Sequence, residues 1–363
     1  MDHEDEKVTM NTITDFGWNA YFETQYKGSN TSYVPGRITS QYPHYYDVIT
    51  NKGQFLAKLS GKFIHESETK SQLPAVGDWV CVQEFPADSH AIIHHLLPRK
   101  TVLSRKSAGK QIEEQVIATN IDILCIVTGL DANYNIHRME RYVTLCSESK
   151  ITPLLIMNKS DLLSSREAVL SELKRGFYQT ETLFLSTYTG EGLEQLKTYL
   201  SKGITTAFVG SSGVGKSSII NALIGKDLLA VTSVRGKDSR GRHTTSRKQM
   251  LLTENGAIVI DTPGMREVAL WCTEEGLEDT FSDIKELSKK CRFSNCSHQS
   301  EPGCHVIHAM DQGNLSDERL KNYLKMKKEI EYNQRKQDKA ASANPKKRWK
   351  HISKMARTKR FNR

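Results

Sequence analysis

The stretch Gly210-Ser-Ser-Gly-Val-Gly-Lys216-Ser217 limits the possible folds more than any other part of the chain. It satisfies G-x-x-x-x-G-K-[ST], follows the apolar, β-branched run TTAFV and leads into SSIINALIG, which has helical spacing. A glycine loop between a strand and a helix turns successive backbone N–H groups inward, and the helix N-terminus adds a partial positive charge. Phosphate is therefore expected on Gly210, Ser211, Ser212, Gly213, Val214, Gly215, Lys216, Ser217 and Ser218. Lys216 should reach the β- and γ-phosphates and assist catalysis, and Ser217 should ligate Mg²⁺.

Two further boxes end apolar runs. Asp261-Thr-Pro-Gly264 follows AIVI, so Asp261 is expected to hold Mg²⁺ through water, with the Gly264 N–H meeting the γ-phosphate. Asn158-Lys159-Ser160-Asp161 follows TPLLIM. Its aspartate can accept from the N1–H and exocyclic amine of guanine, which adenine does not offer, so GTP is favoured over ATP. Lys159 can pack its stem on the base, and Asn158 can tie this box to the phosphate loop. Ser186-Thr187, after TLFL, reads as a supporting base-edge loop. Residues 235–246, RGKDSRGRHTTS, are polar, basic and glycine-containing, as a switch segment should be, and Thr244 or Thr245 can complete a magnesium shell. An ordinary GTPase places its guanine box after its phosphate loop. Here it comes about 50 residues before, so the boxes run fourth, fifth, first, second, third. Closed into a circle they keep the usual order, which describes a circular permutation.

Charge and cysteine are both unevenly placed. From Arg319 to Arg363 there are 17 Lys and Arg against three acids, a balance of +14. The whole chain carries +9, so the remainder is −5. An arm with Trp349, His351 and Phe361 among its bases is expected to touch RNA. Of seven cysteines, Cys291, Cys296 and Cys304 are bunched around His298 as C-x4-C-x-H-x5-C. Three thiolates and one imidazole with no open position describe structural, tetrahedral Zn²⁺. The N-terminus is acidic without a continuous apolar segment, and no run approaches the roughly 18 apolar residues of a membrane span. A soluble, cytoplasmic, monomeric protein without membrane attachment is expected.

Along the chain, five divisions are expected. Residues 1–32 form an extension without clear pattern. Residues 33–100 carry short alternating runs (GRITSQ, YYDVIT, GQFLAKLSGKF, GDWVCVQEF, HAIIHHLLP) that suit an all-β barrel of the OB type. Residues 101–270 open on a basic link and then alternate strand and helix, as a doubly wound α/β P-loop domain does. Residues 271–330 form a small helical, zinc-binding domain, and 331–363 a basic tail.

The permuted boxes with GSSGVGKSS, GRHTT and DTPG, the barrel before them and the Cys/His cluster after them resemble the ribosome small-subunit-dependent GTPase A family (RsgA/YjeQ/YloQ). The resemblance covers residues 34–328. It implies an OB-fold domain, a permuted GTPase domain and a zinc domain. It also implies a role in late maturation of the small ribosomal subunit, rRNA as a partner, and GTP hydrolysis to GDP stimulated by that subunit. Matched to GRHTT, Thr245 becomes the magnesium-linked threonine. Met265 stands where Ras-like enzymes carry a water-orienting Gln, which leaves His243, within the switch, to position water or accept its proton. Two other classes compete: a nucleotide-independent RNA-binding protein, and a P-loop ATPase or kinase, against which Asn158–Asp161 argues.

Overall fold

The computed structural model describes residues 12–29, 32–106, 114–177, 179–226, 228–229, 248–261 and 273–336. The chain divides into two compact units: Met1–Arg105 with Gln115–Ala269, and Lys106–Glu114 with Leu270–Arg363.

Order begins earlier than the patternless N-terminus implies. Asn19 accepts from the Tyr21 and Phe22 amides and so starts helix α1 (Ala20–Gly28). The segment is fastened by aromatics: Trp18 and Phe22 lie 4.8 and 5.4 Å from the Trp79 ring, ring centre to ring centre. Strands β1 (Val34–Gln41), β2 (Tyr46–Thr50) and β3 (Gly53–Leu59) follow. In β3, Phe55 and Ala57 face inward while Gln54, Leu56 and Lys58 face out. The run read as GQFLAKLSGKF stops being a strand at Leu59, because the Ser60 hydroxyl accepts from the Phe63 amide and begins α2 (Gly61–Glu66). After β4 (Trp79–Phe85) and β5 (His90–Leu96), the pairing order β1-β2-β3-β5-β4 closes through β1–β4. Ile38, Val48, Phe55, Val80, Val82 and Ile93 fill this five-stranded, OB-type barrel.

The basic link contains a strand. β6 (Val102–Lys106) pairs with β7 (Glu114–Thr119) as a two-stranded sheet. Then come β8 (Ile123–Gly129), α3 (Ile136–Ser149), β9 (Thr152–Asn158), α4 (Glu167–Gly176), β10 (Glu181–Leu185), α5 (Leu193–Tyr199), β11 (Thr205–Val209) and α6 (Lys216–Ile224), with β12 (Gln249–Leu252) and β13 (Ile258–Asp261) last. Strands β10-β9-β8-β11-β13 are parallel, and β12 adds to β13 antiparallel. Parallel strands buried on both faces read as continuous apolar runs, as IDILCIVTG and TPLLIMN do. One face packs Cys125, Val127, Leu154 and Ile156 against Leu196 of α5 and Ile219 and Leu223 of α6. The alternate residues Leu124, Ile126, Leu155 and Met157 are also buried, on the side where α3 packs against β8 and β9.

β12 escapes a sequence reading because four residues leave little periodicity. It nonetheless joins barrel and nucleotide-domain sheet: Gln249 pairs with Ser40 of β1, making eleven continuous strands. Arg37, buried and without a carboxylate partner among the described residues, fastens the same junction. Its guanidinium donates to the carbonyls of Gly77, Phe16 and Asn120. Burial holds its pKa down to about 10, the charges of Asp122 and Asp78 pulling the other way.

The second unit contains α7 (Glu274–Thr280), α8 (Ser282–Ser288), α9 (His305–Asp311) and a helical run over 317–336. Leu277, Phe281, Ile284, Val306, Leu320, Tyr323 and Met326 are among its buried apolar residues. Arg319 grips Asp283 with two bonds of 2.7 and 2.9 Å and lies 4.6 Å from the centre of the Phe281 ring.

Candidate nucleotide site and metal centre

Five buried residues, Thr205 to Val209, deliver β11 to the loop. Gly210 is needed at its end: φ is +143°, and a Cβ there would lie 2.1 Å from the Val127 carbonyl oxygen. Gly215, at φ +98°, meets Asn158 in the same way, a Cβ falling 2.1 Å from its Nδ2. That close approach lets the Asn158 amide donate to the Val214 carbonyl over 2.7 Å. The two boxes, 56 positions apart in sequence, are thus bonded directly. Val214 is buried in the core, and Ser212 is exposed on the loop's outer side. Gly213 also has positive φ. Ser217 and Ser218 lie in the first turn of α6.

Lys216 folds back over the loop, its Nζ donating to the carbonyls of Gly210 (2.8 Å) and Ser211 (2.6 Å). Asp261 ends β13, the parallel neighbour of β11. Burial raises its carboxyl above the ordinary range, and the Lys216 charge pulls it back.

The guanine box sits on a left-handed residue, Lys159 at φ +62°, which turns the chain out of β9. Its ammonium meets Asp131 at 2.5 Å. Burial pushes the Asp131 carboxyl up, but the Lys159 ammonium and the bonds from Asn133 outweigh it and leave the pKa lowered. Ser160 is buried and donates to Glu191 (2.7 Å), which also receives Arg166 (2.5 Å). Asp161 is exposed, and its Oδ1 accepts the hydroxyl of buried Ser186 at 2.5 Å. Ser186 is locked in turn by the Thr189 amide on its hydroxyl and by its own amide on the Glu191 carbonyl. A cavity of about 520 Å³ runs from Thr187 and Tyr188 to Ser218 and Asn221, bridging the base-edge loop and α6.

The structure therefore brings together residues 158–161, 186–187 and 210–218, with Asp261 close enough to feel Lys216. His243, Thr245 and Gly264 lie outside the described residues, as do Met265 and residues 337–363. Asp131 and Glu191 were missed, as was Arg138, whose Nη1 donates to the Ser211 hydroxyl of the loop. The only signal for Glu191 is the polar turn TGEG; Asp131 and Arg138 belong to no motif.

In the second unit, Cys291, Cys296, His298 and Cys304 place one donor atom each within 4.8 Å of one another. Cys291 Sγ lies 3.9 Å from Cys304 Sγ and 3.8 Å from His298 Nδ1, and Cys304 Sγ is 3.5 Å from the same nitrogen. Zinc bonds of ordinary length in a tetrahedron put such donors about 3.5–3.8 Å apart; Cys291, His298 and Cys304 stand near that spacing, and with Cys296 the set is compatible with the ion. The other imidazole nitrogen, Nε2, pairs with the Ser288 hydroxyl at 3.0 Å, fixing the ring. Glu301 closes the knuckle by accepting from the amides of Ser297, Gln299 and Ser300. Bonds from Ser297 first, then from Ser300, hold its pKa far below the usual range. Among the described residues no helix is long and apolar enough to cross a membrane.

Comparison with known proteins agrees with this geometry. The sequence model of the RsgA GTPase family matches residues 96–271. A protein of Listeria innocua named small ribosomal subunit biogenesis GTPase RsgA 1 is 42% identical over 94% of this chain and 96% of its own. Its counterpart from Opitutus terrae is 36% identical over 94% and 96%. The crystal structure of YjeQ from Thermotoga maritima is similar with a TM-score of 0.60 and 27% identity, covering 82% of this chain and 98% of that one. YloQ, a circularly permuted GTPase, shares the fold with a TM-score of 0.59 at 22% identity, covering 82% and 95%. The chain belongs to the RsgA GTPase family and is a GTP-hydrolysing enzyme.

Proposed function

We propose that this chain binds GTP across residues 158–161, 186–187 and 210–218, and that hydrolysis to GDP times its release from the small ribosomal subunit during late assembly. The bond from Asn158 to the Val214 carbonyl supports this most, because it ties two distant boxes directly to one another. Asp161, oriented by Ser186, accepts from guanine N1–H and the exocyclic amine; a base without those donors leaves it unpaired. The Lys159 stem lies against the base. Lys216 moves from its two loop carbonyls to the β- and γ-phosphates, which the loop amides also receive.

A hydroxyl on Ser217 and a desolvated carboxylate on Asp261 are hard oxygen donors suited to magnesium, Asp261 acting through water and Thr245 adding a ligand. Bound there, Mg²⁺ would neutralise charge on the phosphate oxygens. The Gly264 N–H meets the γ-phosphate, and His243 positions the attacking water or takes its proton. Zn²⁺ on Cys291, Cys296, His298 and Cys304 holds the second unit's knuckle in shape. Of the bases from 319 to 363, Arg319 is spent on Asp283 within the second unit, and those beyond it supply contacts to rRNA phosphates. The protein works as a cytoplasmic monomer.

The test is GTPase rate with and without purified small subunits, beside GTP-against-ATP competition. Guanine selectivity and a rate raised by the subunit are expected. An equal rate in both, or equal binding of ATP, would overturn the proposal. His243→Ala should lose the stimulation in single turnover; wild-type stimulation would remove His243 from the chemistry.

A further inference from the structure

Beside the phosphate loop, the first turn of α3 carries Arg138, to which nothing above assigns a role. Its Nη1 donates to the Ser211 hydroxyl, while its own amide is capped by the Asn135 side chain. A guanidinium is always charged and offers five N–H donors, so one neutral hydroxyl leaves most of its capacity unused. The nearby carboxylates are engaged elsewhere: Asp131 with Lys159, Glu172 with the Tyr134 hydroxyl. Among the described residues Arg138 has no carboxylate partner. A cation in the first turn also opposes the helix dipole, and α3 has no acidic residue there to offset it. Asn133, Asn135, Arg138, Ser211 and Ser212 line an open cavity of about 540 Å³ on this side of the loop.

We infer that Arg138 is a positioning residue for the triphosphate, acting through Ser211, and that it favours GTP over GDP. This rests on the guanine-nucleotide site proposed above. Ser211 links two cations: its hydroxyl holds Arg138 and its carbonyl holds Lys216, the side chain that reaches the terminal phosphates. The guanidinium thus fixes the second residue of the loop and places beside it a positive charge that no carboxylate among the described residues pairs with. A triphosphate carries more negative charge than a diphosphate, so it gains more from that charge.

The test uses the full chain and compares Kd for GDP with Kd for the non-hydrolysable analogue GppNHp by calorimetry. Arg138→Ala should weaken GppNHp about tenfold and GDP by less than about twofold, a partly screened charge effect. Arg138→Lys, which keeps the charge and loses the fork, should restore most of the preference. A purely structural role would weaken both nucleotides alike, and that unchanged ratio would overturn the inference. Failure of the wild type to bind guanine nucleotides would instead remove both this inference and the site it rests on.

Discussion

The nucleotide pocket and the metal centre are built in opposite ways. The pocket collects side chains from Asn158 to Asp261, more than 100 positions of sequence, and holds them by a buried parallel sheet and by bonds between loops. The cysteine–histidine cluster, compatible with zinc, takes four donors from a 14-residue stretch, Cys291 to Cys304, whose framework is short helices and one carboxylate-closed knuckle. A sheet core of this kind persists without its ligand, whereas a small module with few buried side chains depends on its ion. The difference teaches that ligand removal should be tolerated in one region and destructive in the other.

The largest effect should therefore come from the metal. Chelation, or Cys304→Ser, forfeits a binding energy of about 10 kcal/mol and should open residues 273–336 to limited proteolysis. GDP affinity should stay near wild type; a joint loss would break the contrast between the regions. Next, Gly215→Ala should reduce nucleotide affinity about a hundredfold, since the new Cβ meets Asn158 and the backbone sits at φ +98°. Its protease resistance in the zinc region should not change. Ser186→Ala frees the Asp161 carboxylate and should weaken GDP about tenfold in a calorimetric titration.

The smallest effect concerns Lys248, whose Nζ donates to the Val116 carbonyl at 3.3 Å. Burial, helped by the charge of Arg105, lowers its pKa from 10.5 to about 8. Between those values the unfolded chain binds more protons than the folded one, so stability should rise with pH through this window and be lower below pH 8. Lys248→Met should flatten that rise and add about 1 kcal/mol at neutral pH, read from thermal melts. A slope that survives the substitution would place its origin elsewhere.

Much of both candidate sites is legible in sequence because their chemistry is tied to spacing. A glycine loop between strand and helix, an aspartate after a buried strand and C-x4-C-x-H-x5-C each name their residues. Asp131, Arg138 and Glu191 were not legible, since each matters only through a partner brought near by the fold: Lys159, Ser211 and Ser160 with Arg166. The same holds for Arg37, whose three carbonyl acceptors come from three separate segments. Helix α1 was hidden because its packing on Trp79 relies on a few aromatics rather than on a periodic stripe. β12 was hidden by its length and by a barrel partner more than 200 residues away.

We propose that Asp161 reads guanine beside the phosphate loop. The most direct test is Asp161→Asn, titrated with GDP and with xanthosine diphosphate. Xanthine carries a carbonyl where guanine carries the exocyclic amine, and an asparagine amide can donate to it. The variant should lose GDP and gain the xanthine nucleotide, reversing the preference of the wild type. An unchanged preference for GDP would place base recognition elsewhere and contradict the account.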